Sequence, residues 1–166
     1  RVNDRQLLHG AALAELIDEG GLIALQRISD VHDYAYEVEK GARKLGVLFK
    51  YSTATKSPWR FGFSSLEELA LKEMEQRFHR GATFVAFICG RDGVCCVSLA
   101  GLADVLGVGT WAGLAMSISR PRDSGYRVRG PGKALLRKVI PKSAWPRVLW
   151  DDQAMCSLEI VSDDHE

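Results

Sequence analysis

Apolar and polar positions along this chain change period from helix to strand and back, and the changes predict its elements. Leu7, Leu8, Ala11, Ala12, Leu16 and Ile17 recur at helical spacing and Gly20-Gly21 follow, which predicts a helix over Asp4–Glu19. Three strands are expected next: Leu22–Ile28, the alternating DYAYEVE of Asp33–Glu39, and the nearly continuous apolar GVLFKYST of Gly46–Thr53. The last two are joined by KGARKL, a hairpin connection containing Gly41. Trp59–Phe63 reads as a further extended piece. Ser64 or Ser65 then caps a second helix running to about Arg80. Its first turn holds Glu67 and Glu68 against the positive end of the dipole, and its apolar stripe is Leu66, Leu69, Ala70, Met74 and Phe78.

The second half continues in shorter pieces. TFVAFIC (Thr83–Cys89) is a buried strand, and the turn GRDG leads into a partner, VCCVSL. A short helix is expected around Leu99–Leu106, and strands over Leu114–Ser119 and Tyr126–Arg129, joined across RPRDSG. Lys133–Val139 reads as a short helix, and PKSAWPRVLW, with two prolines, as irregular backbone. Repeats, low-complexity stretches and linkers are absent. The expected organisation is a single α/β domain over 1–150 followed by an acidic C-terminal tail over 151–166.

Composition sets the class. Among 166 residues, 46% are hydrophobic and 26% charged, as in an ordinary globular chain. No apolar run approaches the roughly 20 residues that span a bilayer, so no membrane association is expected. The N-terminal RVNDRQLLHG lacks the layout of a secretory signal. Four cysteines are too few for a disulfide scaffold, and a cytoplasmic location is expected. The near-neutral net charge of +1 conceals an asymmetry. Between Arg120 and Arg147 stand nine basic residues and one acid, Asp123, a local +8 that leaves the remainder at −7. Such a block is an electrostatic footprint for a polyanion.

The residue that most needs an explanation is Lys50. It lies in a strand whose neighbours are apolar, and burying an unpaired ammonium costs several kcal/mol. The order helix, strand, strand, strand, helix, strand, with this lysine on the third strand, resembles the core of the PD-(D/E)XK nuclease-like superfamily over about residues 5–98. That resemblance implies a central mixed β-sheet flanked by helices, in the order αβββαβ. It also implies a metal site, usually for Mg²⁺, in which carboxylates hold the ion and the lysine assists an attacking water. Carried over, the catalytic set is Lys50, Asp33 at the start of the second strand and Glu15 on the first helix. Two positions before Lys50, where the family places an acid, stands Leu48; Glu37 and Glu39, together on one strand face, are the substitutes, so the metal set is Asp33, Glu37 and Glu39.

The functional expectation is a nucleic-acid-associated protein, either a divergent metal-dependent nuclease or a relic that still binds DNA or RNA. Lys56, Arg60, Arg120, Arg122, Arg127, Arg129 and Lys133 are its expected backbone contacts. The alternative is a non-enzymatic interaction protein, an inhibitor, immunity or regulatory factor, whose basic face docks an acidic protein partner. Zinc is not expected, because C-x5-C-C matches no common zinc spacing. Cys89 facing Cys96 across the GRDG turn would place a disulfide within geometric reach. Motifs of serine nucleophiles and phosphate-binding P-loops are absent.

Overall fold

A computed structural model describes residues 1–151 and Ala154. Apart from Asp151 and Ala154, the acidic tail lies outside the described residues, as do Cys156 and His165. Helix α1 (Asp4–Gly20) starts in a capping box, where the Asn3 side chain accepts from the Gln6 N–H and the Gln6 side chain accepts from the Asn3 N–H. It ends at Gly21, whose φ of 68° opens the turn out of the helix. Its buried stripe is narrower than expected: Leu8, His9, Ala12 and Leu16 are inside, whereas Leu7 and Ile17 are exposed.

Strands β1 (Ala24–Arg27), β2 (Ala35–Lys40) and β3 (Arg43–Ser52) form an antiparallel meander. β2 begins two residues later than its alternating sequence suggests. The cause is local, because the Tyr34 N–H is taken by His32 Nδ1 at 3.0 Å and so leaves the strand pairing. β4 (Trp59–Gly62) leaves the sheet, and α2 (Ser65–Phe78) carries the chain back to β5 (Thr83–Cys89), which pairs parallel with β3. β6 (Gly93–Ser98) closes the edge as a hairpin partner of β5. The result is a five-stranded mixed sheet in the order β1-β2-β3-β5-β6, followed by α3 (Leu99–Leu106). The expected α/β class and the αβββαβ order are present, with β4 inserted before the second helix.

β4 instead builds a second sheet with β7 (Ala115–Ser119) and β8 (Arg127–Arg129), in the order β4-β7-β8. Its inner face, with Trp59, Phe61, Ile118 and Val128, is buried, and Phe61 meets Phe87 of the main sheet at 4.9 Å between ring centroids. The segment from Lys133 to Val139 is not a helix. Gly132 and Lys133 both have positive φ, at 68° and 98°, which interrupts helical geometry at its first residue. The chain runs extended beside β8 instead, with bridges Arg129–Leu135 and Tyr126–Ile140. PKSAWPRVLW forms two short 3-10 turns and carries the buried Ala144, Trp145, Val148 and Leu149.

The two faces of β3 have different tenants. Phe49 packs against His9 of α1 and against Trp145, with centroids 5.7 Å apart in each case. The alternate residues Gly46, Leu48 and Lys50 face α2. Gly46 is there because nothing larger fits: a Cβ would lie 2.5 Å from the Phe78 ring and 2.9 Å from the Met74 methyl. Gly46→Ala is therefore expected to cost about 1–3 kcal/mol through overpacking, read as a lower urea midpoint at unchanged slope.

Some details depart from expectation. The buried stripe of α2 is Ala70, Leu71, Met74 and Phe78, while Leu66 and Leu69 are 70% and 62% exposed. In the β5–β6 hairpin Cys89 pairs with Gly93 and Cys96 with Ala86, so the two thiols do not face each other as a disulfide would require. Cys89, Cys95 and Cys96 are free and buried, and burial raises all three thiol pKa values.

Candidate functional site

The ammonium of Lys50 is paired. β3 delivers it to the first turn of α2, where its Nζ lies 2.5 Å from Glu67 Oε2, both side chains being nearly buried at 11% and 14% exposure. The ring of Phe63 lies beneath it at 5.0 Å. Glu67 is placed by the capping box of α2: Ser64 Oγ accepts from the Glu67 N–H, and Glu67 Oε1 accepts from the Ser64 N–H. Both carboxylate oxygens are thus engaged, one by the helix cap and one by the lysine. Burial alone would raise the Glu67 carboxyl, but the Lys50 and Ser64 hydrogen bonds outweigh it and hold the group below its ordinary value. Lys50 is a buried cation answered by one carboxylate and one aromatic face.

The acids expected around Lys50 are not assembled there. Glu15 lies on α1, across the sheet from Lys50, and is exposed. Its carboxyl is pushed up by desolvation and by Glu19, with Lys142 opposing. Asp33 stands one step beyond the last β2–β3 contact, the Phe49 N–H to Tyr34 O bond of 3.0 Å, and so is level with Lys50. It belongs to a turn, however, and is exposed. Glu37 and Glu39 share its strand face but pair with Gly46 and Lys44. At about 3.4 Å per residue Glu37 lies about 14 Å along the strand from the level of Lys50, and Glu39 further. Among the described residues no three His, Cys, Asp or Glu side chains come together as a metal site. These side chains therefore do not fit the expected magnesium centre, since a magnesium ion needs converging hard oxygen ligands.

The basic block divides into two parts. Arg120 is bound inside the molecule: its Nη2 and Nε donate to Asp92 Oδ1 and Oδ2 at 2.6 and 2.7 Å, a bidentate fork. The buried Tyr126 hydroxyl donates to the same carboxylate at 2.8 Å, and Lys142 Nζ lies 3.7 Å away. The Arg120 hydrogen bonds, working against partial burial, hold the Asp92 carboxyl down at about 2. Asp92 sits in the β5–β6 turn, so this node fastens the main sheet to the loop that joins β7 to β8.

The other part faces outward. Strand pairing aligns Arg60 with Ser117 and Ser117 with Arg129, while Arg127 pairs with Ser119. Trp59, Ile118 and Val128 point inward, so Arg60, Arg127 and Arg129 share the outer face of the small sheet with Gly62, Ala115, Ser117 and Ser119. With strands about 4.8 Å apart, Arg60 and Arg129 are separated by about 10 Å, and Arg127 and Arg129 by about 7 Å along one strand. Among the described residues none of the three arginines has a carboxylate within 4 Å. Nε of Arg127 is shielded from solvent and has no hydrogen-bond partner. Lys56, Arg122 and Lys133 are exposed in loops.

Sequence reasoning did not find Glu67 as the partner of Lys50, nor Asp92 as the clasp on Arg120. The first was readable only as a helix-start acid and the second only as a turn residue. His32, beside Asp33, is occupied as the acceptor that delays the start of β2. No helix of the described residues is long and apolar enough to cross a membrane. No protein-family model and no curated protein matches the chain. Among solved structures it is similar in fold to Hjc, a Holliday junction resolvase from the archaeal hyperthermophile Archaeoglobus fulgidus, at 19% identity over 60% of this chain and 75% of that one, with a TM-score of 0.45.

Proposed function

We propose that this chain is a nucleic-acid-binding protein that grips the phosphate backbone with the outer face of its three-stranded sheet. The observation that carries this reading is a set of three arginines on one sheet face, the exposed Arg60 and the half-buried Arg127 and Arg129. Among the described residues none of them has a carboxylate within 4 Å, and small and hydroxyl residues lie between them. Guanidinium forks match phosphate oxygens in geometry and charge, and Ser117 and Ser119 add short donors between them. Lys56, Arg122 and Lys133 extend the positive surface. Arg120 is not part of it, because its fork is already spent on Asp92. No aromatic side chain stands among the outer-face residues, so base stacking is not offered there and the contact is to the backbone, independent of sequence.

Hydrolysis is the less supported half of the expectation. Lys50 is neutralised by Glu67, Leu48 stands at the missing acid, and the carboxylates that would hold magnesium are spread along a strand and across a sheet. The sheet is retained as a scaffold, and the binding face lies on the element added to it.

Fluorescence anisotropy with mixed-sequence single- and double-stranded DNA and RNA, over a range of salt, tests the binding. Affinity is expected to fall steeply with salt. The Arg60→Gln/Arg129→Gln variant, altered at one exposed and one half-buried position of the outer face, is expected to flatten the log–log slope by about 2, close to one counterion per lost contact. Affinity insensitive to salt, or an unchanged slope in the variant, would remove the proposal. Incubation of the same substrates with Mg²⁺ separates binding from chemistry. Cleavage by the wild type that is lost in Asp33→Asn would reinstate a hydrolytic centre; intact substrate is the expected result.

A further inference from the structure

The small sheet sets its polar outer residues in two rows that run across the strands. In the first row Arg60 and Arg129 flank Ser117, each directly opposite it in the strand register. In the second row Ser119 faces Arg127. β4 begins at Trp59, opposite Ile118, and so adds no residue to that second row. Strands about 4.8 Å apart put one arginine of the first row about 5 Å to either side of Ser117. Two residues of strand separate the rows, a distance of about 7 Å.

We infer that the two rows seat two successive phosphates of one nucleic-acid strand running along β7, the first over Ser117 and the second over Ser119. Each seat has a hydroxyl at its centre, which donates one hydrogen bond, and guanidinium donors that close on the remaining oxygens from the side. The first seat holds two cations and the second holds one. Among the described residues none of the five side chains is hydrogen-bonded or ion-paired to another residue, so each is uncommitted. Four of the five, Ser117, Ser119, Arg127 and Arg129, are half-buried. Their side chains sweep less space than those of free surface residues, and less freedom is lost when a ligand arrives.

The spacing of the rows selects what can fill both. Along one nucleic-acid strand the backbone repeat sets neighbouring phosphates about 6–7 Å apart, close to the separation of the two seats. Alternate phosphates stand nearly twice as far apart and fill one seat at a time. The inference rests on the backbone-binding reading above and adds its unit of recognition, a pair of adjacent charged linkages. A mononucleotide or a free phosphate does not offer that pair.

The test uses thymidine oligomers of equal length and charge, half of whose linkages are neutral methylphosphonates, with the unmodified oligomer as reference. In one, charged and neutral linkages alternate; in the other, charged linkages stand in adjacent pairs separated by neutral pairs. Fluorescence anisotropy at fixed salt is expected to show the paired oligomer bound about tenfold tighter, the worth of one charge-assisted contact. Arg127→Gln, which removes the cation of the second seat, is expected to bring the two oligomers to equal affinity. Arg60→Gln, at an exposed position of the first seat, is expected to weaken both and to keep their ratio. Equal binding of the two oligomers by the wild type, with salt-dependent binding of the unmodified one, would overturn the inference and leave the backbone reading standing. That comparison needs no variant to fold. An Arg127→Gln protein that keeps the ratio would also overturn the inference. Absence of salt-dependent binding to the unmodified oligomer would overturn the backbone reading, and the inference with it.

Discussion

Lys50→Ala is expected to destabilise the fold by about 3–5 kcal/mol, the cost of leaving a nearly buried carboxylate without its cation. The size follows from the geometry of Glu67. Its Oε1 is held by the Ser64 N–H and cannot turn to solvent without breaking the capping box of α2, so removing the lysine strands a fixed charge. Glu67→Ala is expected to cost a similar amount, because it loses the cap and exposes the opposite fault. Lys50→Met/Glu67→Gln, which removes both charges and keeps the volume and the cap, is expected to recover most of the loss. Urea unfolding of the four proteins at pH 7 measures this, and a double variant no more stable than Lys50→Ala would show that the pair is not the unit. The pH dependence has a definite sign. The Glu67 carboxyl is depressed in the folded state, so its contribution is present above the unfolded pKa and is lost as pH falls below about 4.5 toward the folded value. In Lys50→Met/Glu67→Gln that part of the acid sensitivity is expected to vanish.

Asp92→Ala is expected to cost about 3 kcal/mol, since one carboxylate satisfies the Arg120 fork, the buried Tyr126 hydroxyl and the nearby Lys142. The loss divides unevenly. Arg120 and Lys142 can reach water, but the Tyr126 residue is 0% exposed and its hydroxyl would lose its partner in place. Tyr126→Phe in the Asp92→Ala background is therefore expected to restore about 1 kcal/mol by removing an unsatisfied donor. The Asp92 contribution is complete above its unfolded value near 4 and is lost as pH falls toward 2. Thermal unfolding at pH 7 and pH 3 checks both statements: the gap between wild type and Asp92→Ala should narrow at the lower pH. An equal gap at the two pH values would show that the carboxylate charge is not what holds the node.

Period and punctuation made most of the elements legible. The α1 and α2 caps, the β2–β3 and β5–β6 hairpins, the short α3 and even the strands β7 and β8 follow from local residue pattern. The misses are those where a distant partner decides. Leu66 and Leu69 obey helical spacing, yet α2 lies on the sheet through Ala70, Leu71 and Met74, because Gly46 opens a place for Met74 and Phe78. Lys133–Val139 has helical composition, but the positive φ at Gly132 and Lys133 sends it along β8.

The candidate site shows the same division. That Lys50 needed a partner was legible from its apolar neighbours; that the partner is Glu67 depends on how α2 meets the sheet seventeen residues later. Whether Glu15 and Lys50 share a side of the sheet was not legible, since it depends on which face of the sheet α1 covers. The basic block was legible as charge. Its division between a clasp on Asp92 and an outward arginine face required the pairing of β4 with β7 and β8.

Trp145 adds a constraint in time. Its indole Nε1 donates to the carbonyl of Ala12, 133 residues earlier, and its ring covers Phe49 on the face that α1 shares. During synthesis α1 is made before the sheet it covers, but the side chain that seals its side of that sheet follows only after all eight strands. Until Trp145 is available, an aromatic surface at Phe49 stays uncovered, so completion of this face waits for a segment made after both sheets and not for the local helix. A face opened by a capped helix is thus closed by a segment of short 3-10 turns.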